Sequence, residues 1–451
     1  MWSSAFLAEA CAATISGPAQ KFSSVSTDGR TIQQGALYVA LAGDNFDGHH
    51  FVEQAIAAGA SGVLVSQPIG CNSSVTVLQV KDTLKALQSM AHASRLAFAG
   101  PVIAVTGSNG KTTTKEMIAS VLCQQYGADA VLATVGNLNN HIGVPLTLLA
   151  RKPSHRVAVI EMGMNHFGEI ALLTRLAEPT IAVITNAGPA HLEGVGSIEG
   201  VAEAKGEIFA GLRDNGVAVI NTDDAFAPYW QVLTRTRKRI SFGLNSKAIV
   251  HGQFTPPHHL HIQFDAVHCA VALPQEGAHN AANALAAVAV GHALAIPMET
   301  IRLGLESAGN VSGRLTTRPF VNGSTLIDDS YNANPASMRA AAQVLLAHAS
   351  PRIFVIGDMG ELGDQSDRLH EELVSDIRQF DFDDVFTLGS RMRQAAQSLG
   401  VAGQSFEDVE SLADNLFPHL TPGATLLVKG SRSMAMERVI EKLENMSQGS
   451  H

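Results

Sequence analysis

From about Val102 onward the chain alternates two kinds of segment. Short β-branched runs end in glycine-rich turns, and alanine-rich stretches with helical spacing follow them. The runs are VIAVTGSNG from Val102, VAVIEMGMN from Val157, IAVITNAGPAH from Ile181 and VAVINTDD from Val217. Four or five apolar residues without alternation predict strands buried on both faces, and therefore a parallel sheet under helices. A second series comprises TLIDDSYNANP from Thr325, RIFVIGDMGELG from Arg352, DVFTLGS from Asp384 and TLLVKGSRS from Thr425. Between the two series, Val250 to Pro274 alternates apolar and polar residues, which predicts an antiparallel excursion. Residues 1–98 read as a smaller mixed α/β unit, with strand-like ALYVAL (Ala36 to Leu41) and GVLVS (Gly62 to Ser66). No repeat of solenoid period is present.

Composition narrows this picture. The 451 residues are 46% hydrophobic and 16% charged, with 40 Gly and 17 Pro, which excludes low-complexity disorder, collagen and coiled coil. Such a length predicts about three domains, here 1–98, 99–312 and 313–448, with joints near Gly100 and Ser312. Forty-one acidic against 31 basic side chains give a net charge of −10, so neither nucleic acid nor an anionic membrane is an expected partner. Cys11, Cys71, Cys123 and Cys269 are scattered without a CxxC pair; no disulfide framework or zinc knuckle is expected, and a reducing cytoplasm fits best. Met1 to Thr14 is apolar but lacks a basic flank and contains Glu9, so it reads as a short helix and not as a signal peptide. Ala281 to Ile296 carries Asn283 and His292 and is mostly alanine, which predicts a soluble helix and no membrane insertion.

Chemistry is expected just after each run, because parallel sheets bind ligands at the carboxyl ends of their strands. Val102 to Val105 is a strand, Thr106-Gly107-Ser108-Asn109-Gly110-Lys111-Thr112-Thr113 a turn, and Thr114 onward a helix. Small residues let backbone N–H groups converge on phosphate oxygens, and the helix N-terminus adds positive partial charge. Lys111 would reach the β/γ-phosphates and the Thr112 hydroxyl would ligate Mg²⁺. The first glycine of the usual pattern is displaced, which makes this a shortened loop. Glu161 ends a strand and is either a solvated strand end or, beside a phosphate loop, a metal ligand. His191 follows another strand, and on spacing alone a lone histidine reads as structural before it reads as a metal ligand. On spacing alone Lys205 is a solvated helix residue beside Glu203 and Glu207. His258, His259 and His261 follow Pro256-Pro257 and read as a surface hairpin rather than a metal site.

Taken together, TGSNGKTT, EMGMNHFGEI, TNAGPAHLEG, AKGEIF, HNAANALAA (from His279), SGR (Ser312 to Arg314) and DDSYNANP (from Asp328) resemble the ATP-dependent Mur ligases, in that family's order and across all three expected domains. The fold this implies is α/β in three domains: a small mixed α/β N-terminal domain, a central P-loop parallel-sheet ATPase domain and a C-terminal Rossmann-like α/β domain. TVGNLNNHIGVPLTLL from Thr134, GDMGELG from Gly357 and VKGSRSMAME from Val428 are most similar to the branch that joins D-alanyl-D-alanine to UDP-N-acetylmuramoyl-tripeptide in cytoplasmic cell-wall synthesis. The branch that extends the dipeptide would show a D-N-P-R block, whereas Asn334-Pro335 lies between Ala333 and Ala336.

The resemblance implies roles residue by residue. Gly107, Ser108, Asn109, Gly110, Lys111, Thr112 and Thr113 would hold ATP, with Asn283 near the adenine or ribose and Arg314 and Asp328 closing over the nucleotide. Two Mg²⁺ ions are expected, on Thr112 and on Glu161 with His191. Lys205 matches the position that the family carbamylates with CO₂, which reverses the reading from spacing. Lys111, Lys205 and His191 would be the catalytic set. Asn137, Asn139, Asn140, Asn332 and Asn334 would line the peptide side. Ser26-Thr27-Asp28 with Arg30, and the Gly43 to His50 loop, match the region that grips the UDP-sugar. A monomer is the family's default.

Three rivals are open at this level. Folylpolyglutamate-type ligases share the fold but lack a UDP-binding first domain, whereas here about 100 residues precede the phosphate loop. A P-loop switch or motor would carry switch loops or N-K-x-D, and a nicotinamide oxidoreductase would carry GxGxxG after a strand. None of these is in the sequence.

Overall fold

A computed structural model gives the architecture and describes residues 1–43, 46–70, 74–245, 247–264, 266–398 and 404–448. Cys71, and Asp44 and Asn45 of the Gly43 to His50 loop, lie outside the described residues. Among the described residues three main sheets succeed one another along the chain.

The first sheet has five strands in the order Thr14–Ser16, Thr76–Gln79, Gly62–Val65, Leu37–Val39, Val25–Ser26. Its pairs are parallel except the outer Thr14–Ser16 pair. The helix expected over Met1 to Thr14 is shorter, Ser4–Cys11. The Ser3 hydroxyl accepts from the Phe6 N–H to start it, and Ala12 at φ 50° ends it. From there the helix Thr83–Leu96 leads to the second sheet.

That sheet has nine strands: Val131–Ala133, Val157–Glu161, Val102–Thr106, Ile181–Ile184, Val217–Asn221, Lys238–Gly243, Val250–Thr255, His259–Phe264 and Val267–Ala272. The first seven pair in parallel; of the expected antiparallel excursion, His259–Phe264 and Val267–Ala272 pair antiparallel, whereas Val250–Thr255 joins the parallel part through Lys238–Gly243. The runs are unalternating because both faces are covered. Val102 and Ala104 enter one core cluster while Ile103 and Val105 enter the opposite one. The second cluster is closed by the helices Lys111–Tyr126, Ala278–Ala293 and Met298–Glu306. The strand order reverses at Val102–Thr106, so the crevice at its carboxyl end is a topological switch point.

The third sheet has six strands in the order Thr316–Pro319, Thr325–Asp329, Thr425–Lys429, Arg352–Gly357, Asp384–Leu388, Gln404–Phe406, parallel except for the first pair. No helix among the described residues is long and apolar enough to cross a membrane.

Candidate active site

The phosphate loop is built by close approach. A Cβ at Gly107 would stand 1.8 Å from the Thr185 hydroxyl, and one at Gly110 would stand 2.3 Å from Asn283 Oδ1 while φ there is 78°. The loop is held from the neighbouring strand end. The Ser108 N–H donates to the Asn186 carbonyl (3.0 Å), the Asn109 N–H to Asn186 Oδ1 (2.9 Å), and the Gly188 N–H to Ser108 Oγ (2.9 Å). Lys111 Nζ folds back to donate to the Gly107 carbonyl at 2.7 Å and the Ser108 carbonyl at 3.3 Å. Burial lowers its pKa, Glu161 opposing and the positive charge of Arg314 adding to the shift.

Two cavities meet at this loop. One, of about 340 Å³, is lined by Ser108, Asn109, Gly110, Lys111, Thr113, His279, Asn280, Asn283, Arg314, Asp329, Tyr331 and Lys429, among others. The other, of about 400 Å³, adds Asn137, Asn139, Asn140, Glu161, His191, Gly360 and Glu361. Ser108, Lys111, Arg314, Tyr331, Asn332 and Asn334 belong to both walls. Residues more than 200 positions apart in the chain are thus brought to one crevice, with Lys111 at the boundary.

Several expected residues sit elsewhere. Asp328 is not on the cavity wall; its carboxylate accepts from the N–H and hydroxyl of Ser330 at 3.1 and 2.6 Å. The next residue, Asp329, lines the cavity instead, because strand alternation turns neighbouring side chains to opposite faces. Asp329 pairs with Lys429 at 2.6 Å, both groups nearly buried. Burial raises the Asp329 carboxyl in spite of that partner. Thr112 lines a separate groove with Lys115, Glu116 and Gly309, whereas Thr113 faces the nucleotide-sized cavity. Ser26, Thr27, Asp28 and Arg30 line neither cavity. Arg30 donates to both carboxylate oxygens of Asp28 at 2.9 Å, and this hydrogen bonding draws Asp28 down to about 2.

Two of the expected asparagines have structural duties. Asn140 Oδ1 accepts from the N–H groups of Ile142 and Gly143 at the start of the helix Gly143–Leu149. Asn334 caps the helix Pro335–Leu346, its Oδ1 accepting from the Ser337 N–H at 2.9 Å, while its Nδ2 donates to Asn109 Oδ1 at 2.7 Å across the crevice.

The implied metal ligands fit on the chemistry of their own atoms. Glu161 is 1% exposed; Asn139 donates to its Oε1 at 2.8 Å, and its Oε2 is buried without a partner. An orphaned carboxylate oxygen in a polar crevice is the position a cation would satisfy. Lys205 is also 1% exposed, and burial, with the charge of Lys111 second, lowers its pKa well below the lysine value. The lowered value favours the neutral amine, the nucleophilic form that CO₂ requires. Among the described residues no group of three His, Cys, Asp or Glu gathers as a metal site. His258 lies in the antiparallel hairpin turn, His259 opens the strand after it and His261 lies within that strand, so the segment is the expected hairpin.

Residue patterning alone assigns no role to His279, Asn280, Asp329, Tyr331, Glu361 or Lys429, although each lies in one of the quoted motif stretches. Burial, with Lys429's charge second, pushes His279 down to about 4. Tyr331 stacks under two guanidinium groups, Arg314 at 4.4 Å and Arg432 at 5.7 Å from its ring centre.

Comparison with known proteins agrees with this geometry. Three family profiles match in succession: "Mur ligase family, catalytic domain" over residues 21–95, "Mur ligase middle domain" over 105–291 and "Mur ligase, glutamate ligase domain" over 313–432. The UDP-N-acetylmuramoyl-tripeptide--D-alanyl-D-alanine ligase of Escherichia coli (strain K12) is 41% identical over 431 residues, 93% of each chain. A crystal structure of MurF from Acinetobacter baumannii superposes with a TM-score of 0.91 at 35% identity, over 98% of this chain and 99% of that one. MurF ligase from Thermotoga maritima in complex with ADP gives 0.82 at 27% identity, over 95% and 98%.

Proposed function

The chain belongs to the Mur ligase family, and we propose that it is an ATP-dependent ligase joining D-alanyl-D-alanine to UDP-N-acetylmuramoyl-tripeptide, to give the pentapeptide precursor of peptidoglycan in the cytoplasm. The observation that carries this reading is the pair of cavities sharing Lys111 as a wall. A nucleotide in one and a peptide carboxylate in the other would meet across a single cation. In this reading residues 1–98 grip the UDP-sugar, residues 99–312 hold ATP and residues 313–448 close over both, in a monomer.

A carboxylate is a poor electrophile. Transfer of the γ-phosphoryl group of ATP to the tripeptide's terminal carboxylate gives an acyl phosphate with a good leaving group. The free amine of D-alanyl-D-alanine then adds, and the tetrahedral intermediate collapses to amide and phosphate. Transfer of this kind is mostly positioning and charge neutralisation. Lys111, released from the Gly107 and Ser108 carbonyls, neutralises the migrating phosphoryl group, and the backbone N–H groups of residues 107–110 cradle the remainder. Glu161, His191 and a carbamylated Lys205 would hold Mg²⁺, which when bound would neutralise phosphate and carboxylate charge. Asn139 fixes the Glu161 carboxylate from below. Arg314 and Tyr331, from the C-terminal side, exclude water that would hydrolyse the acyl phosphate.

The test is ATP-dependent phosphate release with UDP-N-acetylmuramoyl-tripeptide, with and without D-alanyl-D-alanine, at fixed Mg²⁺. Release that needs both substrates, with a pentapeptide product mass, is the expected outcome. Release indifferent to both would overturn the acceptor assignment.

A further inference from the structure

His191 and Glu361 both hold left-handed backbone conformations, φ 58° and 61°. Residues with a Cβ occupy that region sparsely, and do so where the surroundings over-determine them. His191 lies on the loop after the strand Ile181–Ile184, and Glu361 on the loop after Arg352–Gly357, in a different sheet. Across the crevice His191 Nδ1 and Glu361 Oε2 stand 2.7 Å apart, the ring not yet aligned for a full hydrogen bond.

The Glu361 loop is fixed independently of this contact. Two residues before Glu361, the Met359 N–H donates to Nε2 of the fully buried His370 at 3.0 Å. The other nitrogen of that ring, Nδ1, lies 2.7 Å from the Ser366 carbonyl, which only accepts; Nδ1 therefore carries the proton. Two residues after Glu361, Gly363 packs so near the turn following His191 that a Cβ there would stand 3.3 Å from Glu193 Cα. The carboxylate is thus delivered to His191 by a braced loop.

We infer that Glu361 is a positioning residue for His191: its carboxylate accepts the Nδ1 proton and leaves Nε2 as the metal-binding nitrogen, so that the site with Glu161 is complete only while the C-terminal domain is docked. A ligating histidine is ordinarily fixed in just this manner, by an acceptor on its other nitrogen. Here the acceptor comes from another domain. Metal affinity and domain docking then become one equilibrium, each favouring the other by the same factor. This inference rests on the ligase reading above.

The experiment is a Mn²⁺ titration followed by electron paramagnetic resonance on the full chain, with a non-hydrolysable ATP analogue and UDP-N-acetylmuramoyl-tripeptide, for the unmodified protein, H191A, E361A and E361Q. One class of bound Mn²⁺ is expected to weaken by about 10- to 100-fold in E361A, the same class that H191A loses. E361Q, whose amide oxygen still accepts, should lose less. Unchanged Mn²⁺ binding in E361A, or a defect confined to the KM for D-alanyl-D-alanine, overturns the inference. E361Q preserves size and guards against a folding defect. Ligation by the unmodified protein is assayed in the same preparation. Ligation with unaltered Mn²⁺ binding in E361A removes the dyad alone, whereas absent ligation removes the ligase reading, and the titration still decides the dyad.

Discussion

The joint between the first and second sheets and the joint between the second and third are made of different materials. At the first, Arg95 is 1% exposed and spends its guanidinium on three backbone carbonyls: Ala177 at 2.6 Å, Phe98 at 2.8 Å and Glu178 at 2.8 Å. Ser94 Oγ donates to the Leu148 carbonyl and Trp2 Nε1 to the Leu149 carbonyl, both at 2.8 Å. Leu7, Leu87, Met90, Leu149 and Leu173 pack there in a core cluster that runs on to Leu192, Met359 and Leu362 at the second joint, so the joints differ in their polar contacts. At the second joint side chain meets side chain: Asn334 with Asn109, His191 with Glu361, and His348 with Glu276 at 2.9 Å. Two cavities open between these pairs. A backbone carbonyl is a fixed acceptor that no ligand replaces, so the first joint has one geometry. Polar side chains around a wet crevice exchange partners with water or ligand at small net cost, so the second joint is free to open and close. Small-angle scattering should therefore show contraction when nucleotide and UDP-substrate are added together, from movement at the second joint alone.

The largest expected separation of the two joints comes from Lys111. K111M should lower kcat by about 10³-fold, equivalent to about 4 kcal/mol of transition-state stabilisation, while unfolding in urea changes little. Loss of fold instead would mean that the lysine's bonds to Gly107 and Ser108 are structural. The converse variant is R95M. It strands three buried carbonyls, at about 1 kcal/mol or more each, so the first urea transition should weaken by about 3 kcal/mol or more. Turnover per folded molecule should stay near that of the unmodified protein. A matching fall in kcat would show that the two joints are mechanically coupled.

pH sharpens the contrast at smaller amplitude. His279, beside Lys429 in the second joint, is pushed from 6.5 down to about 4 by burial. As pH falls the unfolded chain takes up this proton first, so the stability His279 contributes is present above its unfolded value and is lost between 6.5 and about 4. Near pH 5 the loss should be at most about 2 kcal/mol, since the ring borders a wet cavity, and H279Q should flatten that limb of the urea midpoint against pH. Arg95 has a lowered value of about 10 for the same reason of burial. It is charged in both folded and unfolded chains below that pH, so it adds no slope over the acid range.

Much of this was legible in the sequence, and the reasons are local. VIAVT, VAVIE and IAVI are apolar at every position because both faces of their sheet are covered, and the glycines of TGSNG mark places where a Cβ has no room. What was hidden depends on contacts that no spacing encodes. DDSYNANP offers two adjacent aspartates, and only the facing of the strand shows that Asp329, not Asp328, reaches the cavity and Lys429. Lys205 reads as a solvated helix residue beside Glu203 and Glu207 until packing buries it. Glu361 and His279 sit in stretches that stood out as motifs, yet their partners come from other elements and, for Glu361, from another sheet.

The smallest effect is also the most direct measure of the second joint. Asn334 keeps its oxygen on the Ser337 N–H to cap its helix, while its Nδ2 donates to Asn109 at 2.7 Å and the Asn109 Nδ2 lies 3.4 Å from the same oxygen. N109A therefore removes the bridge between sheets without uncapping the helix. A neutral hydrogen bond at a wet crevice is worth about 1 kcal/mol net, so the closed form should lose about fivefold in population relative to the open one. That loss should appear as a weaker contraction in scattering, with the urea midpoint nearly unmoved. A lowered urea midpoint with intact contraction would mean that this seam, too, is a fixed structural joint, and the distinction between the two would not hold.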